Sequence, residues 1–435
     1  MKKITSVFLA LVLIIISVPA VFAANPVPAT PEWLSDWENR SSLSGKIWQN
    51  PGDNENDRVF TWLSDNTDNS FTYSDGRNKF TVTPDTKITV YGVVNTVELS
   101  DLRDGSYKYS YTADGKEFSG KTFSVDTKTE GFTAMFCSDP QLGRSGDDSI
   151  EAVQNDTYGW ERTLISAQNN GAELILCAGD QVNDGFSALQ YNALFSPDTL
   201  SSLPFAPTAG NHDFYSPLYS TYFGNAGTAG IGNDYYFSYG NALFIVLDSN
   251  DITSLSHEKT ISDAVNTYPD APWRVVMLHH GAYSAGAEEF TNKICTLKLR
   301  ELFDIYDIDL ALSGHNHFYS RTYPVYNGQI STVGTVYFEA GSASGSKCGS
   351  YDDVSAEYIV HHEDLKAASY SLLTFTDDTI EITSYLTDSG EIFDSFTVVN
   401  SDEEGGIPQM GLLELIIRWI KSILARIPVP YLIGE

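Results

Sequence analysis

FTAMFCSD (residues 132–139) and AELILCAGD (172–180) are short apolar runs, each closing on an acidic residue, with the helix-like DTYGWERTLISAQNNG (156–171) between them. Three more runs follow: ALFIVLDSN (242–250), WRVVMLHHG (273–281) and DIDLALSGHNH (307–317). Runs of this kind, separated by helix-like stretches, predict strands buried on both faces. Each closes on residues capable of chemistry, and in α/β sheets ligands bind at the carboxyl ends of the strands. The stretch 370–400 returns to a period of two and predicts antiparallel strands. The expected fold class is mixed, α+β/α/β, over residues 131–400.

Upstream, from 41 to 127, the pattern is all-β. Tyr107, Tyr109 and Tyr111 alternate with Lys108 and Ser110, Asp114-Gly115 supplies a hairpin turn, and KEFSGKTFSV resumes the alternation. With Trp62 and the strand-like KITVYGVV, this predicts a small β-sandwich whose aromatic residues are core. A polar joint, DTKTEGF, separates the two parts.

The 435 residues accord with more than one domain. Lys2 and Lys3 precede an apolar run from Val7 to Val18, and Val21-Phe22-Ala23 has the small-residue pattern of a cleavage site. Residues 1–24 are therefore expected to be a secretory signal, too short for a bilayer span, and the protein to be secreted or extracellular. Beyond the spacer that starts at Ser401, the segment 410–435 carries Glu414, Arg418, Lys421 and Arg426 on a narrow stripe of an otherwise apolar helix. That stripe suits peripheral membrane or cell-surface contact, with docking on the body or on a sister chain as the open alternative. A formal charge of −31 excludes a nucleic-acid scaffold, because phosphate binding draws on Lys and Arg. The four cysteines show no metal spacing; Cys137 and Cys177 sit in apolar strands as buried thiols, while a pair between Cys295 and Cys348 stays open.

Taken singly, the polar residues after these runs have ordinary readings. An Asp after a strand is commonly a turn or capping residue, and a His can simply satisfy a carbonyl. Their joint arrangement says more: five of the eight histidines fall in the patches GNHDF (210–214), LHHG (278–281) and GHNH (314–317), each after an apolar run or in a glycine turn. Carboxylates and neutral imidazoles gathered at one sheet edge are what transition-metal ions require.

The order Asp139, Gly179-Asp180, Gly210-Asn211-His212-Asp213, His279 and Gly314-His315-Asn316-His317 resembles the calcineurin-like metallophosphoesterase superfamily. With the upstream sandwich, in which ELSDLRDGSYKYSYTADGKEFSGKTFSV looks like a fibronectin-III-like domain, it is most similar to the purple acid phosphatase branch. The resemblance implies a two-sheet ββαα-type sandwich and a small phosphate-ester substrate, hydrolysed by hydroxide activated at a pair of divalent or trivalent ions (iron, zinc or manganese). Carried over by residue, Asp180 bridges both ions, Asp139 and His317 hold one, and Asn211, His279 and His315 hold the other. His280 stands behind the ligands, and His212, oriented by Asp213, faces the substrate as proton donor. Two departures stand out. Gln141 occupies a position where most of the superfamily has histidine and offers a weaker neutral donor. Asn183 replaces the tyrosine that colours the purple enzymes, so no strong visible absorption is expected. The interval between His280 and His315 holds none of that branch's further substrate-facing histidines, which leaves proton donation to His212 or to Tyr283 and water. Lys347 and Arg321 are the cations expected near phosphate. The competing reading, motivated by Gln141 and Asn183, is a surface-attached binding or adhesion protein with a degenerate metal site.

Overall fold

The computed structural model describes residues 26–42, 45–127, 131–223, 233–251, 254–285, 290–349 and 356–400. The expected leader (1–24) and the amphipathic tail (401–435) lie outside the described residues.

The upstream part contains β1 (Ile47–Pro51), β2 (Arg58–Ser64), β3 (Phe71–Ser74), β4 (Lys79–Val82), β5 (Asp85–Thr89), β6 (Gly92–Leu99), β7 (Gly105–Ala113) and β8 (Lys116–Val125). They form two four-stranded sheets, β1-β2-β6-β5 and β4-β3-β7-β8. The tyrosine alternation in β7 faces inward as expected, and Tyr107, Tyr109 and Tyr111 share one core with Phe60, Trp62, Phe71 and Phe123 from both sheets. Asp114 and Gly115 both take positive φ, 56° and 73°, the backbone that a tight hairpin turn needs. KITVYGVV differs from expectation. It is not one strand but a hairpin that turns at Val90-Tyr91, where Gly92 at φ 125° admits a bend the hydropathy pattern does not show.

The downstream part contains β9 (Phe132–Cys137), β10 (Leu174–Cys177), β11 (Phe205–Pro207), β12 (Tyr235–Tyr239), β13 (Ala242–Leu247), β14 (Trp273–His280), β15 (Leu310–Gly314) and β16 (Tyr319–Thr322). It continues with β17 (Val325–Tyr326), β18 (Gln329–Ile330), β19 (Val336–Glu339), β20 (Ile359–Glu363), β21 (Ser369–Phe375), β22 (Thr379–Leu386) and β23 (Ile392–Val399). Two sheets result, of six strands in the order β11-β10-β9-β21-β22-β23 and seven in the order β12-β13-β14-β15-β19-β16-β20. The strands expected in 370–400 are β21 to β23, and they extend the β9 sheet by antiparallel pairing.

Strand periodicity sorts the side chains into layers. Ala134 and Phe136 of β9 enter a core between the sheets with Phe244, Val246, Val275 and Met277. Met135 and Cys137 face the other way, toward Val153, Trp160 and Leu164 of the helix Ile150–Asn169. On the far side, Leu243 and Ile245 pack on Ile261, Leu299 and Phe303 of the helices Ser254–Thr267 and Phe290–Ile305. The layers are therefore helix, sheet, sheet, helix. Full burial of each such side chain contributes about 1.5–3 kcal/mol, which makes the three apolar cores the main support of the architecture. Cys137 and Cys177 are buried free thiols on neighbouring strands.

Strands β9, β10 and β11 run parallel, as do β13, β14, β15 and β19, so their carboxyl ends open on a common rim. A bridge between Ser138 and Ser342 ties the two sheets together there. The upstream sandwich packs on the same body: Trp48 stacks on Phe195 with ring centroids 3.8 Å apart, and its indole N–H donates to the Tyr222 carbonyl at 3.0 Å.

Candidate metal centre

Every ligand candidate leaves the end of a strand. Asp139 follows β9, Asp180 follows β10, Asn211 follows β11, His279 closes β14, and His315 and His317 follow β15. Close approach of these strand ends depends on glycine. A Cβ on Gly210 would sit 2.1 Å from Asp180 Oδ1, and one on Gly314 would sit 1.7 Å from Ser138 Oγ and 2.5 Å from Asp139 Oδ2. In β14 the register shifts between Met277 and His280, a bulge that re-aims the two consecutive histidines.

Asn211 Oδ1 lies 3.1 Å from both His279 Nε2 and His315 Nδ1, and those two nitrogens are 3.3 Å apart. Asp180 Oδ1 is 3.4 Å from His279 Nε2, and Asp139 Oδ1 is 3.6 Å from His317 Nε2. The donor atoms of Asp139, Asp180 and His279 lie within 4.8 Å of one another, as do those of His279, His280 and His315. All six metal-ligand candidates other than Gln141 are thus linked in one cluster. His280, expected behind the ligands, comes closer to the centre than that, although Ser249 Oγ holds its Nδ1 at 2.8 Å.

Outer contacts fix the ring orientations. His279 Nδ1 donates to the Ala178 carbonyl at 2.7 Å, which turns Nε2 toward the cluster. Asp139 Oδ2 accepts from Ser138 Oγ at 2.5 Å and from the His315 backbone N–H at 3.0 Å. What remains unpaired is informative: Asp139 Oδ1, His317 Nδ1 and both amide atoms of Gln141 are buried without a hydrogen-bond partner among the described residues. Buried polar atoms are ordinarily paired, and these four orphans fit a centre that takes a cation. Gln141 is fully buried, and its backbone N–H donates to the Asp180 carbonyl at 2.9 Å.

Electrostatics divides the imidazoles. Burial opposes charge on His279, but Asp180 and Asp139 outweigh it and push its pKa up to about 10. Burial and then the charge of His279 bring His280 down to about 2 and His315 to about 3, and burial holds His317 well below its usual value. Asp139 rises to about 6 through burial, opposed by His279, whereas Asp180 stays below the carboxylate range because His279 and His212 outweigh its burial. His280, His315 and His317 are therefore neutral, as ligands must be, and His279 has to release a proton to become one.

The partner that orients His212 differs from expectation. Its Nδ1 donates to the Asn183 carbonyl at 2.6 Å and its backbone N–H to Asp180 Oδ1 at 2.9 Å. Asp213 is turned away, accepting from the Gln181 and Gly210 backbone N–H groups at 3.1 and 3.0 Å and from Tyr191 at 3.4 Å. Successive residues in a turn point apart, so the carboxylate braces the loop and not the ring. Tyr283 is likewise no proton donor at the rim: it packs in the outer core against Tyr337 and Tyr358. Arg321 is taken up by Asp394 at 2.6 and 3.1 Å, which leaves Lys347 as the nearby cation of the expected two. Lys347 is half-buried on a loop pinned by Ser346 Oγ to the Pro140 carbonyl at 3.2 Å and by the Gly349 N–H to the His317 carbonyl at 2.8 Å.

Sequence reasoning missed two supports. Ser249 follows β13 and holds His280. Glu339 ends β19, and its carboxylate accepts from Asn316 Nδ2 at 2.6 Å and from Ser320 Oγ at 3.1 Å. The signal was present, since VYFE is another apolar run closing on an acidic residue.

A two-sheet sandwich with carboxylate, amide and imidazole donors gathered at the strand ends defines a metallophosphoesterase architecture. Residues 132–319 match the calcineurin-like phosphoesterase family, which places this stretch of the chain in that superfamily. Among curated relatives, acid phosphatase A of Cryphonectria parasitica is 28% identical over 149 residues, 32% of this chain and 29% of that protein. Purple acid phosphatase 15 of Arabidopsis thaliana is 23% identical over 293 residues, 58% of this chain and 53% of that protein. The matches therefore span about half or less of these relatives' own lengths. The fold is shared with purple acid phosphatase PPD1 of yellow lupin, at TM-score 0.66 and 16% identity over 89% of this chain and 77% of that one. It is also shared with PhoD, at TM-score 0.59 and 12% identity over 88% of this chain and 97% of that one.

Proposed function

We propose that this protein is a metal-dependent phosphoester hydrolase, exported from the cell, that acts on small phosphate esters through a two-ion centre. The observation that carries this reading is the convergence of Asp139, Asp180, Asn211, His279, His315 and His317 from separate strand ends, with orphaned buried donor atoms among them. Acid phosphatase relatives support it. The upstream pair of sheets is read as the fibronectin-III-like domain of that branch, and residues 131–400 as the catalytic domain.

Asp180 is assigned as the bridging carboxylate, Asp139 and His317 as holders of one ion, and Asn211, His279 and His315 as holders of the other, with Gln141 as a neutral donor beside them. Such a pair supplies a water-derived nucleophile near neutral pH and neutralises charge on the phosphoryl oxygens. The protein's own share is positional. His279 presents Nε2 because Ala178 occupies its other nitrogen. His212, held through Nδ1 by the Asn183 carbonyl, has Nε2 left to protonate the leaving oxygen. Lys347 adds a fixed positive charge beside the bound phosphoryl group.

With metals loaded, the protein is expected to hydrolyse an activated aryl phosphate. Asp180→Asn should abolish most of the rate, and His212→Ala should lower kcat by about 10²–10⁴-fold with the metal content unchanged. Full metal content without turnover on monoesters, diesters or nucleotides would sink the proposal. The adhesion alternative is not favoured, given the acid phosphatase relatives and the gathered carboxylate and imidazole donors.

A further inference from the structure

The turn bearing His315 and His317 spans an unusual gap. It joins β15 to β16, yet these strands are not neighbours: β19 lies between them, parallel to β15 and antiparallel to β16. The turn therefore arches over the end of β19, across two strand spacings of about 10 Å. Both His315 and His317 take left-handed backbone, at φ 78° and 59°, a conformation that residues other than glycine rarely adopt. Something must hold the arch.

Glu339 is the last residue of β19 and lies beneath it, paired in register with Ser313 on one side and Ser320 on the other. Its side chain is 1% exposed. One carboxylate oxygen accepts from Asn316 Nδ2 at 2.6 Å, at the crown of the arch, and the other from Ser320 Oγ at 3.1 Å at its foot. The second Nδ2 contact of Asn316 is Ser284 Oγ at 3.3 Å, just past the end of β14. Asn316 thereby directs its amide inward, while the histidines before and after it are the ones that reach the cluster.

We infer that Glu339 and Asn316 form a keystone pair, positioning residues that set the backbone of the arch and so the directions of both His315 and His317 toward the bound cations. The inference rests on the metal-centre reading above, and binds it to a specific buried carboxylate that is not itself a ligand. Outer partners of this kind govern affinity by fixing ligand orientation.

The test uses the full chain and cobalt(II) as probe, with Asn316→Ala, Glu339→Gln and Glu339→Ala. Asn316→Ala should keep the metal-free unfolding midpoint near that of the unmodified protein, lower cobalt affinity about 10–100-fold in competition with a chelator, and change the cobalt ligand-field spectrum. Glu339→Gln keeps an oxygen for Asn316 and should recover most of the affinity that Glu339→Ala loses. Should Glu339→Ala not fold, Asn316→Ala decides alone. Unchanged affinity and spectrum in Asn316→Ala would overturn the inference, as would equal losses in the Gln and Ala variants. A chain that binds cobalt normally but hydrolyses no phosphate ester would remove the hydrolase reading and leave the keystone standing. A chain that takes up no cobalt would overturn both.

Discussion

At the cluster, the fate of each cation depends on its neighbours. Arg321 is neutralised by Asp394 and lies over the Phe396 ring at 4.6 Å, so it has little charge left to offer a substrate. Lys347 forms no ion pair among the described residues, and burial together with nearby Arg144 lowers its pKa, while Asp139 and Asp180 act in the opposite sense. A half-buried ammonium in that position is best satisfied by an incoming anion. Replacing it with a chain of similar length removes the charge without opening a cavity. Lys347→Met should therefore raise KM for an aryl phosphate roughly ten-fold or more, since a charge-assisted hydrogen bond contributes about 1.5–3 kcal/mol, and should leave metal content unchanged. Steady-state kinetics with metal analysis checks this. A variant with unaltered KM would show that the ammonium does not meet the phosphoryl group.

At the scale of elements, the helix Ile150–Asn169 carries a buried acid whose partner is a loop. Asp156 Oδ2 accepts from the Gly143 backbone N–H at 2.8 Å and from that of Ser145 at 3.3 Å, while Oδ1 is orphaned. Burial pushes its pKa up to about 7, and the bonds from Ser145, Gly143 and Arg144 only partly oppose this. The folded state then holds a proton that the unfolded chain has lost, so stability falls as pH rises from about 4 to about 7. Asp156→Asn does not titrate, and its stability relative to the unmodified protein should climb over that window and level off above it. Urea unfolding at several pH values measures the difference; a constant gap between pH 5 and 8 would contradict the assignment. The same helix shows what the sequence can and cannot convey. Its existence was legible between the apolar runs, but it starts at Ile150, earlier than expected, because Ser149 caps it by accepting from the Ala152 N–H. Runs closing on Asp139, Asp180, His279 and His315 marked strands and ligand candidates together, because strand ends and donor groups coincide in this architecture. The hairpin inside KITVYGVV and the direction of Asp213 were not legible, since both depend on backbone φ and on which neighbour claims a polar group. Nor was the insertion of β19 between β15 and β16, a long-range pairing with no local signature.

Across the whole molecule, the two sheet systems meet through specific hydrogen bonds as well as apolar contact. Gln49 Nε2 donates to the Ser201 carbonyl and Asn50 Nδ2 to the Phe205 carbonyl, both at 2.7 Å, and Tyr109 Oη donates to Ser201 at 2.6 Å. Gln49 also bridges Pro204, so that the edge strand β1 meets the approach to β11. Trp48 is the anchor, fully buried in the same core as Trp160, Phe195 and Tyr222, although it belongs to the upstream strands. This face is joined along the chain to one of the assigned ligands, since β11 leads into Asn211. Trp48→Ala would remove the ring stacked on Phe195 and leave the Tyr222 carbonyl without its donor. A loss of about 3–5 kcal/mol is expected, as for other buried aromatic truncations. If the upstream sheets and the metal-binding body unfold as one unit, urea titration followed by tryptophan fluorescence should move the whole transition to lower denaturant. An unchanged transition for the body would mean that the sandwich is carried without supporting the site.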